Sequence, residues 1–132
     1  MIKFRVWDKE EKIMIDWIDL VMSKDSGEND FIVFEPTGPV KSTITNPILM
    51  QSTGLKDTNG VEIYEGDIVE LKYPYDKRIK TKGSIVWDSD KSCFGINMKE
   101  TTERYELYRI TAGNYLTVIG DKYQDTELLE DE

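Results

Sequence analysis

The segment from Leu49 to Leu71 constrains the fold of this 132-residue chain more than any other part. Its glycines recur six residues apart, and it contains Asn59-Gly60, a dipeptide in which both residues tolerate a positive φ. Glu65-Gly66-Asp67 indicates a further reversal before the next apolar run. Repeated reversals over so short a span exclude a long helix and favour a small barrel or a compact sheet. We assign the structural turn motif to Gly54, Asn59, Gly60, Gly66 and Asp67.

Short β-like runs account for most of the remaining chain. Residues 2–6 alternate between apolar and polar side chains, and after a polar break residues 13–17 alternate again, which predicts a hairpin. A strand at residues 83–87 is expected to pair, across a polar turn at residues 88–92, with a strand at residues 93–98. The β-like pattern also covers residues 31–34, 105–110 and 116–119.

The segments between these runs are polar or irregular. Residues 23–30 predict a polar loop, and residues 40–47 predict an irregular segment or an edge strand. Residues 126–132 predict a flexible acidic tail that begins with one helical turn, capped by Asp125 or Thr126. About seven to nine short strands with frequent turns predict an all-β fold, a small barrel or sandwich in a single domain over residues 1–132.

The central segment resembles the signature of the YopX protein family. The likeness rests on residues 49–69, with opening and closing segments at residues 2–8, 118–123 and 127–129. Members of this family are small proteins encoded by phages and prophages, and the resemblance implies a mainly β fold with a barrel-like core. It implies no established activity and assigns no catalytic residue. Residues 20–48 and 72–82 depart most from the family pattern, so any function specific to this member is expected there.

The net charge of −9, from 26 acidic and 17 basic residues, is unevenly distributed. Residues 121–132 carry six acidic residues and one basic residue, whereas residues 72–82 carry five basic residues and one acidic residue. We interpret the overall charge as a contribution to solubility, because a generally acidic chain is repelled by nucleic-acid phosphates. The amino terminus lacks an apolar leader, and no run is long enough to span a bilayer, so we expect a cytoplasmic protein in a bacterial host and no membrane partner.

The residue types present make catalysis an improbable role, and we predict that the protein is not an enzyme. The chain has no histidine and one cysteine, which removes histidine-based nucleophile pairs, cysteine–histidine zinc sites and redox pairs. Glu62, Glu65 and Asp67 form the best acidic cluster, but we interpret Asp67 as a turn cap and the two glutamates as solvent-facing. We therefore predict no catalytic residue, no cofactor and no metal. Cys93 is expected to be a buried small hydrophobic residue, and the three tryptophans are expected to be core or half-buried on strands, whereas an exposed pair would make a binding surface.

Three functional hypotheses remain. The first is a non-enzymatic protein-interaction module, with an unidentified protein partner or a second copy of the chain, because open β edges pair unless they are blocked. The second is a nucleic-acid accessory protein, because aromatic stacking and cationic charge in one loop hold single strands. The third is an acidic decoy of a host DNA-binding protein, which needs a contiguous negative face. The candidate contact residues for a nucleic acid or a partner are Tyr73, Tyr75, Lys77, Arg78, Lys80 and Lys82.

Overall fold

The computed structural model describes residues 2–24, 32–37, 43–44, 46–72, 80–99 and 103–129. Its backbone falls into two compact units, Met1–Gln51 and Ser52–Glu132. The predicted mainly β class is confirmed, since strands dominate the described residues and only one α-helix occurs among them. The prediction of a single domain stays a prediction. Within the described residues, no helix is both long and apolar enough to span a membrane.

The described residues form eleven strands, one α-helix and two 3-10 helices. In chain order the strands are β1 (Phe4–Asp8), β2 (Ile13–Ile15), β3 (Leu20–Lys24), β4 (Ile32–Pro36), β5 (Pro47–Lys56), β6 (Glu62–Tyr64), β7 (Asp67–Lys72), β8 (Lys80–Asp88), β9 (Cys93–Met98), β10 (Arg104–Glu106) and β11 (Leu116–Asp121). The helix α1 spans Arg109–Tyr115, and the 3-10 helices span Trp17–Asp19 and Thr126–Leu129.

The first unit is built on the predicted amino-terminal hairpin, which is confirmed. Strands β1 and β2 pair antiparallel with Val6 opposite Ile15, and the other side of β1 pairs with β5. The alternating pattern ends earlier than expected, because Trp17 lies in a 3-10 helix rather than in a strand. The core of this unit consists of the buried side chains Val6, Ile15, Phe34 and Ile44, with Leu20 packed against them.

A second hairpin in this unit differs from the sequence prediction. Strand β3 pairs antiparallel with β4, and it extends through Ser23 and Lys24, which the sequence had placed in a polar loop. The adjoining part of that loop, residues 25–30, lies outside the described residues. The strand character of Ser23 and Lys24 was not evident from the sequence, because both residues are polar. Their backbone groups pair with β4, and this pairing does not require apolar side chains.

The second unit contains a five-stranded antiparallel sheet in the order β10-β9-β8-β7-β11. The predicted pairing of the strands at 83–87 and 93–98 is confirmed, with Val86 opposite Gly95. Alternate residues of β8 point inward, as the period-two pattern of a half-buried strand requires. The core comprises the buried side chains Ile63, Val69, Ile85, Ile96, Met98, Ala112 and Leu116, with Leu55, Leu71, Phe94, Leu107 and Val118 packed against them.

The two ends of this sheet are its edge strands β10 and β11, which do not pair with each other in the described part of the chain. The sequence predicted a barrel-like core. The sheet is curled into a half-barrel and does not close into a full barrel in the described part of the chain. The prediction that residues 105–110 form one β-like run is wrong. Strand β10 ends at Glu106 and α1 begins at Arg109, and the fully buried Ala112 anchors the helix in the core.

Candidate functional site

The buried charged residues in the described part of the chain are five aspartates at or next to strand ends. Each of them accepts a hydrogen bond from a backbone amide close by in sequence. In four of them the amide follows the aspartate, as in an Asx turn, and in Asp67 it precedes the aspartate. The five aspartates are Asp8, Asp57, Asp67, Asp88 and Asp121. Because their oxygens are engaged by the backbone, these carboxylates serve turn formation and strand termination.

Three of these aspartates share one local geometry. Asp8, Asp88 and Asp121 are each the last residue of a strand, and the Oδ1 atom of each accepts the amides two and three residues further on. The sequence interpretation missed this device. A signal was nevertheless present, since in each case an aspartate directly follows an alternating apolar run and is followed by polar residues.

Asp57 joins a turn to a strand that is distant in sequence. Its Oδ1 accepts the amides of Asn59 and Val61, both at 2.9 Å, and its Oδ2 accepts the amide of Val118 in β11 at 2.8 Å. The Asn59-Gly60 turn is closed by Gly60, whose φ is +80° and whose amide donates to the Asp57 carbonyl. The motif that makes the sequence recognisable is therefore held together by a buried carboxylate.

The acidic cluster at residues 62–67 is arranged around a turn. The Asp67 Oδ2 accepts the Tyr64 amide at 2.7 Å, and Gly66, with φ +88°, donates its amide to the Ile85 carbonyl. Glu62 and Glu65 are half-buried. No group of three potential metal-ligating side chains occurs in the described ranges. The Asp67 carboxylate is thus part of the backbone reversal at Gly66.

Gly54 has a different role from the other two motif glycines. It lies inside β5 rather than in a turn, with φ +78°, at the place where the register between β5 and β6 shifts. Its amide donates to the Ser52 Oγ at 3.1 Å, and the next amide, of Leu55, donates to the Thr53 Oγ1. The turn that the sequence assigned to Gly54 is therefore a bulge within a strand.

The basic segment at residues 72–82 is described only at its two ends. Tyr73, Tyr75, Lys77 and Arg78 lie outside the described residues. Lys72 and Lys80 stand directly opposite each other in the β7–β8 register, and the Lys80 Nζ lies 3.8 Å from the Glu70 Oε1. Lys82 is opposite Glu70 on the same strand pair. The described part of the candidate site is thus a ladder of lysines with one acidic neighbour.

Apolar side chains are exposed on β8, on β10 and at the start of α1. Trp87 is 47% exposed, and its ring meets that of Phe94 edge-on with centroids 5.0 Å apart, so the core prediction does not hold for this tryptophan. Strand β9 lies between β8 and the segment that follows β10. Phe94 of β9 is opposite Trp87 of β8, and the Phe94 carbonyl accepts the Leu107 amide. We use the name aromatic edge for five apolar side chains of these elements, the exposed Trp87, Tyr105, Tyr108 and Ile110 and the half-buried Phe94.

Acidic residues hold the two tyrosines of the aromatic edge. The Tyr105 hydroxyl donates to Glu103 and the Tyr108 hydroxyl donates to Glu106. The hydrogen bond from Tyr108 to Glu106, together with the negative charge of that carboxylate, raises the pKa of the Tyr108 phenol. The Lys91 Nζ lies 3.8 Å from the Glu106 Oε1, so a cation stands beside the carboxylate that accepts from Tyr108. The edge thus combines exposed rings with charges at its rim.

The remaining singled-out side chains are less exposed. Trp7 and Trp17 are half-buried, and the Trp17 ring lies 6.0 Å from that of Phe4. Cys93 is also half-buried, at the start of β9, where it stands opposite Asp88. Of the acidic tail, Glu127 is exposed and residues 130–132 lie outside the described residues.

Comparison with known proteins identifies similar structures over nearly the whole chain. The family described as YopX protein matches residues 3–130. The crystal structure of protein EF1440 from Enterococcus faecalis is 26% identical in sequence, with a TM-score of 0.66 over 98% of this chain and 99% of that one. The crystal structure of protein yopX from Bacillus subtilis is 23% identical, with a TM-score of 0.67 over 98% of this chain and 97% of that one. No curated protein matches the sequence.

Proposed function

The chain belongs to the YopX protein family, and we propose that it acts as a non-enzymatic protein-interaction module. Its setting would be a cytoplasmic, phage- or prophage-encoded assembly, or the modulation of a host protein. The proposed contact surface is the aromatic edge, and the proposed partner is another protein or a second copy of this chain.

The exposure of the aromatic edge is the observation that carries this proposal. Tyr108 is 57% exposed and Ile110 is 74% exposed, within two residues of each other. Tyrosine and tryptophan supply large, rigid contact areas at protein interfaces and are enriched among the residues that dominate binding energy. Exposed aromatic and aliphatic side chains with charged residues close by in sequence are the residue types of an interface, which has an apolar centre and a polar border.

The use of the buried carboxylates supports a non-enzymatic role. A general acid or base must reach a substrate proton, and a metal ligand must have lone pairs to offer. The oxygens of Asp57 and Asp121 are instead occupied by backbone amides, and the Asp121 Oδ2 also accepts the side-chain amide of Gln124 at 2.7 Å. These two buried aspartates therefore already have a structural role in turns and strand ends.

A paired capture experiment tests the proposal. Tagged wild-type protein, the double variant Tyr108→Ser/Ile110→Ser and the control Ile18→Ser are used to capture proteins from infected host cells. Ile18 is a matched control, because it is an isoleucine that is 85% exposed on the 3-10 helix of the first unit. We expect a specific set of proteins that the wild type and Ile18→Ser retain and the double variant loses. Identical protein sets for all three would refute the aromatic edge as the contact surface.

A nucleic-acid accessory role is the second candidate, and the opposed lysines of β7 and β8 favour it. Like charges directly opposite each other destabilise a strand pair, and a bound phosphate would relieve the repulsion between Lys72 and Lys80. We expect a mixed single-stranded oligonucleotide to bind at low salt with an affinity that falls steeply as salt is added. The triple variant Lys77→Glu/Arg78→Glu/Lys80→Glu should abolish binding. No binding of the wild type at low salt would eliminate this candidate.

A further inference from the structure

A second surface of the carboxy-terminal unit is cationic, although the protein as a whole is acidic. Here β5 and α1 border a pocket with a volume of about 270 Å³. The residues that line it are Gly54, Leu55, Lys56, Arg109 and Gly113. Two of these five residues are cations and none is acidic, in a chain whose net charge is −9.

The two cations have no acidic partner among the described residues. Lys80, Lys91 and Arg104 each lie within 4 Å of a carboxylate, whereas neither Lys56 nor Arg109 forms an ion pair in the described ranges. Strand pairing brings Glu62 opposite Lys56, but Glu62 does not line the pocket. Two positive charges on one concave surface raise the local concentration of anions.

The walls of the pocket are formed by the backbone of β5 on one side and of α1 on the other. Arg109 and Gly113 are one helical turn apart, so they share a face of α1. A Cβ atom added at Gly54 or at Gly113 would meet nothing within 4 Å, which leaves the space between the two walls open. The Gly54 and Leu55 amides are already bonded to Ser52 and Thr53, so this is no glycine loop of the phosphate-cradling kind. Recognition at this site would come from the two charged side chains.

We propose that this pocket binds the phosphate group of a small molecule. A phosphate monoester carries a charge of about −1.5 to −2 near pH 7, which two cations neutralise. Arginine matches phosphate oxygens with two parallel hydrogen bonds, and lysine adds a point charge. The pocket volume of about 270 Å³ leaves room for a phosphate group together with part of the molecule that carries it. Leu55 offers an apolar contact to the remainder of the ligand.

Amide chemical-shift titration of the complete protein tests this proposal. Inorganic phosphate is compared with chloride at matched ionic strength, and AMP is compared with adenosine. We expect phosphate and AMP, but neither chloride nor adenosine, to shift the amides of Gly54, Lys56 and Gly113. If AMP binds more tightly than inorganic phosphate, the ligand class is a phosphate ester. If AMP and inorganic phosphate bind equally, the ligand is free phosphate.

Matched variants separate a built site from general attraction of anions. Lys56→Gln and Arg109→Gln are each expected to weaken phosphate binding about tenfold or more, because each removes a charge-assisted hydrogen bond. Gly113→Leu should block the pocket without a change of charge. Lys122→Gln makes the same charge change at an exposed lysine beside Tyr123, outside the pocket, and should bind as the wild type does. The proposal is overturned if phosphate and chloride give equal shifts, or if Lys122→Gln weakens binding as much as Lys56→Gln.

Discussion

Replacing Asp57 by alanine is expected to lower the free energy of unfolding by about 4 kcal/mol. The Asp57 side chain is 4% exposed and accepts three backbone amides at 2.8–2.9 Å. The amides of Asn59 and Val61 lie in a turn that water can reach, so the loss of each bond costs about 1 kcal/mol. The Val118 amide lies within β11, and leaving it without an acceptor costs about 2 kcal/mol.

The variant Asp57→Asn divides this effect between the two oxygens. Its remaining oxygen can keep both turn amides, but its NH₂ group would face the Val118 amide, donor against donor. We expect a loss of about 2 kcal/mol, half of the alanine effect. The control Asp90→Asn changes an exposed aspartate in the β8–β9 turn and should stay within about 0.5 kcal/mol of the wild type.

Urea denaturation followed by tryptophan fluorescence measures all three variants. The midpoint should fall in the order wild type and Asp90→Asn, then Asp57→Asn, then Asp57→Ala, at an unchanged slope against denaturant. If Asp57→Ala unfolds within about 0.5 kcal/mol of Asp90→Asn, the buried carboxylate does not hold the turn to β11 and the reasoning is refuted.

Three further predictions concern glycines and a tyrosine. Gly120→Ala should destabilise by about 1–3 kcal/mol in urea titration, because the new Cβ would lie 2.6 Å from the Asp125 Oδ2; unchanged stability would contradict this. Gly113→Ala, where a Cβ meets nothing within 4 Å, should instead stabilise by up to about 1 kcal/mol through helix propensity, and destabilisation would contradict an open site. The Tyr108 phenol, followed by phenolate absorbance, should titrate above its ordinary pKa of 10.0, and Glu106→Gln should return the pKa toward that value. Because the folded-state pKa is raised, the stabilising contribution of this pair is present below the unfolded pKa and is lost as the pH rises through the folded pKa.

The strands were predictable where local pattern and tertiary burial agree. In β8, Gly83 and Ile85 are buried on the inward face, so the alternation in the sequence reported the sheet face directly. Trp87 follows the same alternation and yet is half-exposed, since it lies at the end of the strand next to Asp88. The periodicity identified the correct face, but burial at a given position depends on where the strand leaves the core.

Helix α1 was not predictable, because its local signals oppose a helix. It contains the β-branched residues Ile110 and Thr111 and an interior Gly113, all weak helix formers, and Tyr108 at its N-terminus provides no side-chain cap. Burial of Ala112 in the core overrides these preferences. Ile110 of the aromatic edge and Arg109 and Gly113 of the cationic pocket lie on this helix, so their placement could not be predicted from the sequence.

The binding affinity of a partner captured by the wild-type protein tests the proposed function most directly. Calorimetric titration of the purified partner is carried out with the wild type, Ile110→Ser and Ile18→Ser. If the aromatic edge is the contact surface, Ile110→Ser should bind about tenfold or more weakly, because an interface anchor contributes over 1 kcal/mol, and Ile18→Ser should bind as the wild type does. Equal affinities for all three proteins would contradict the account.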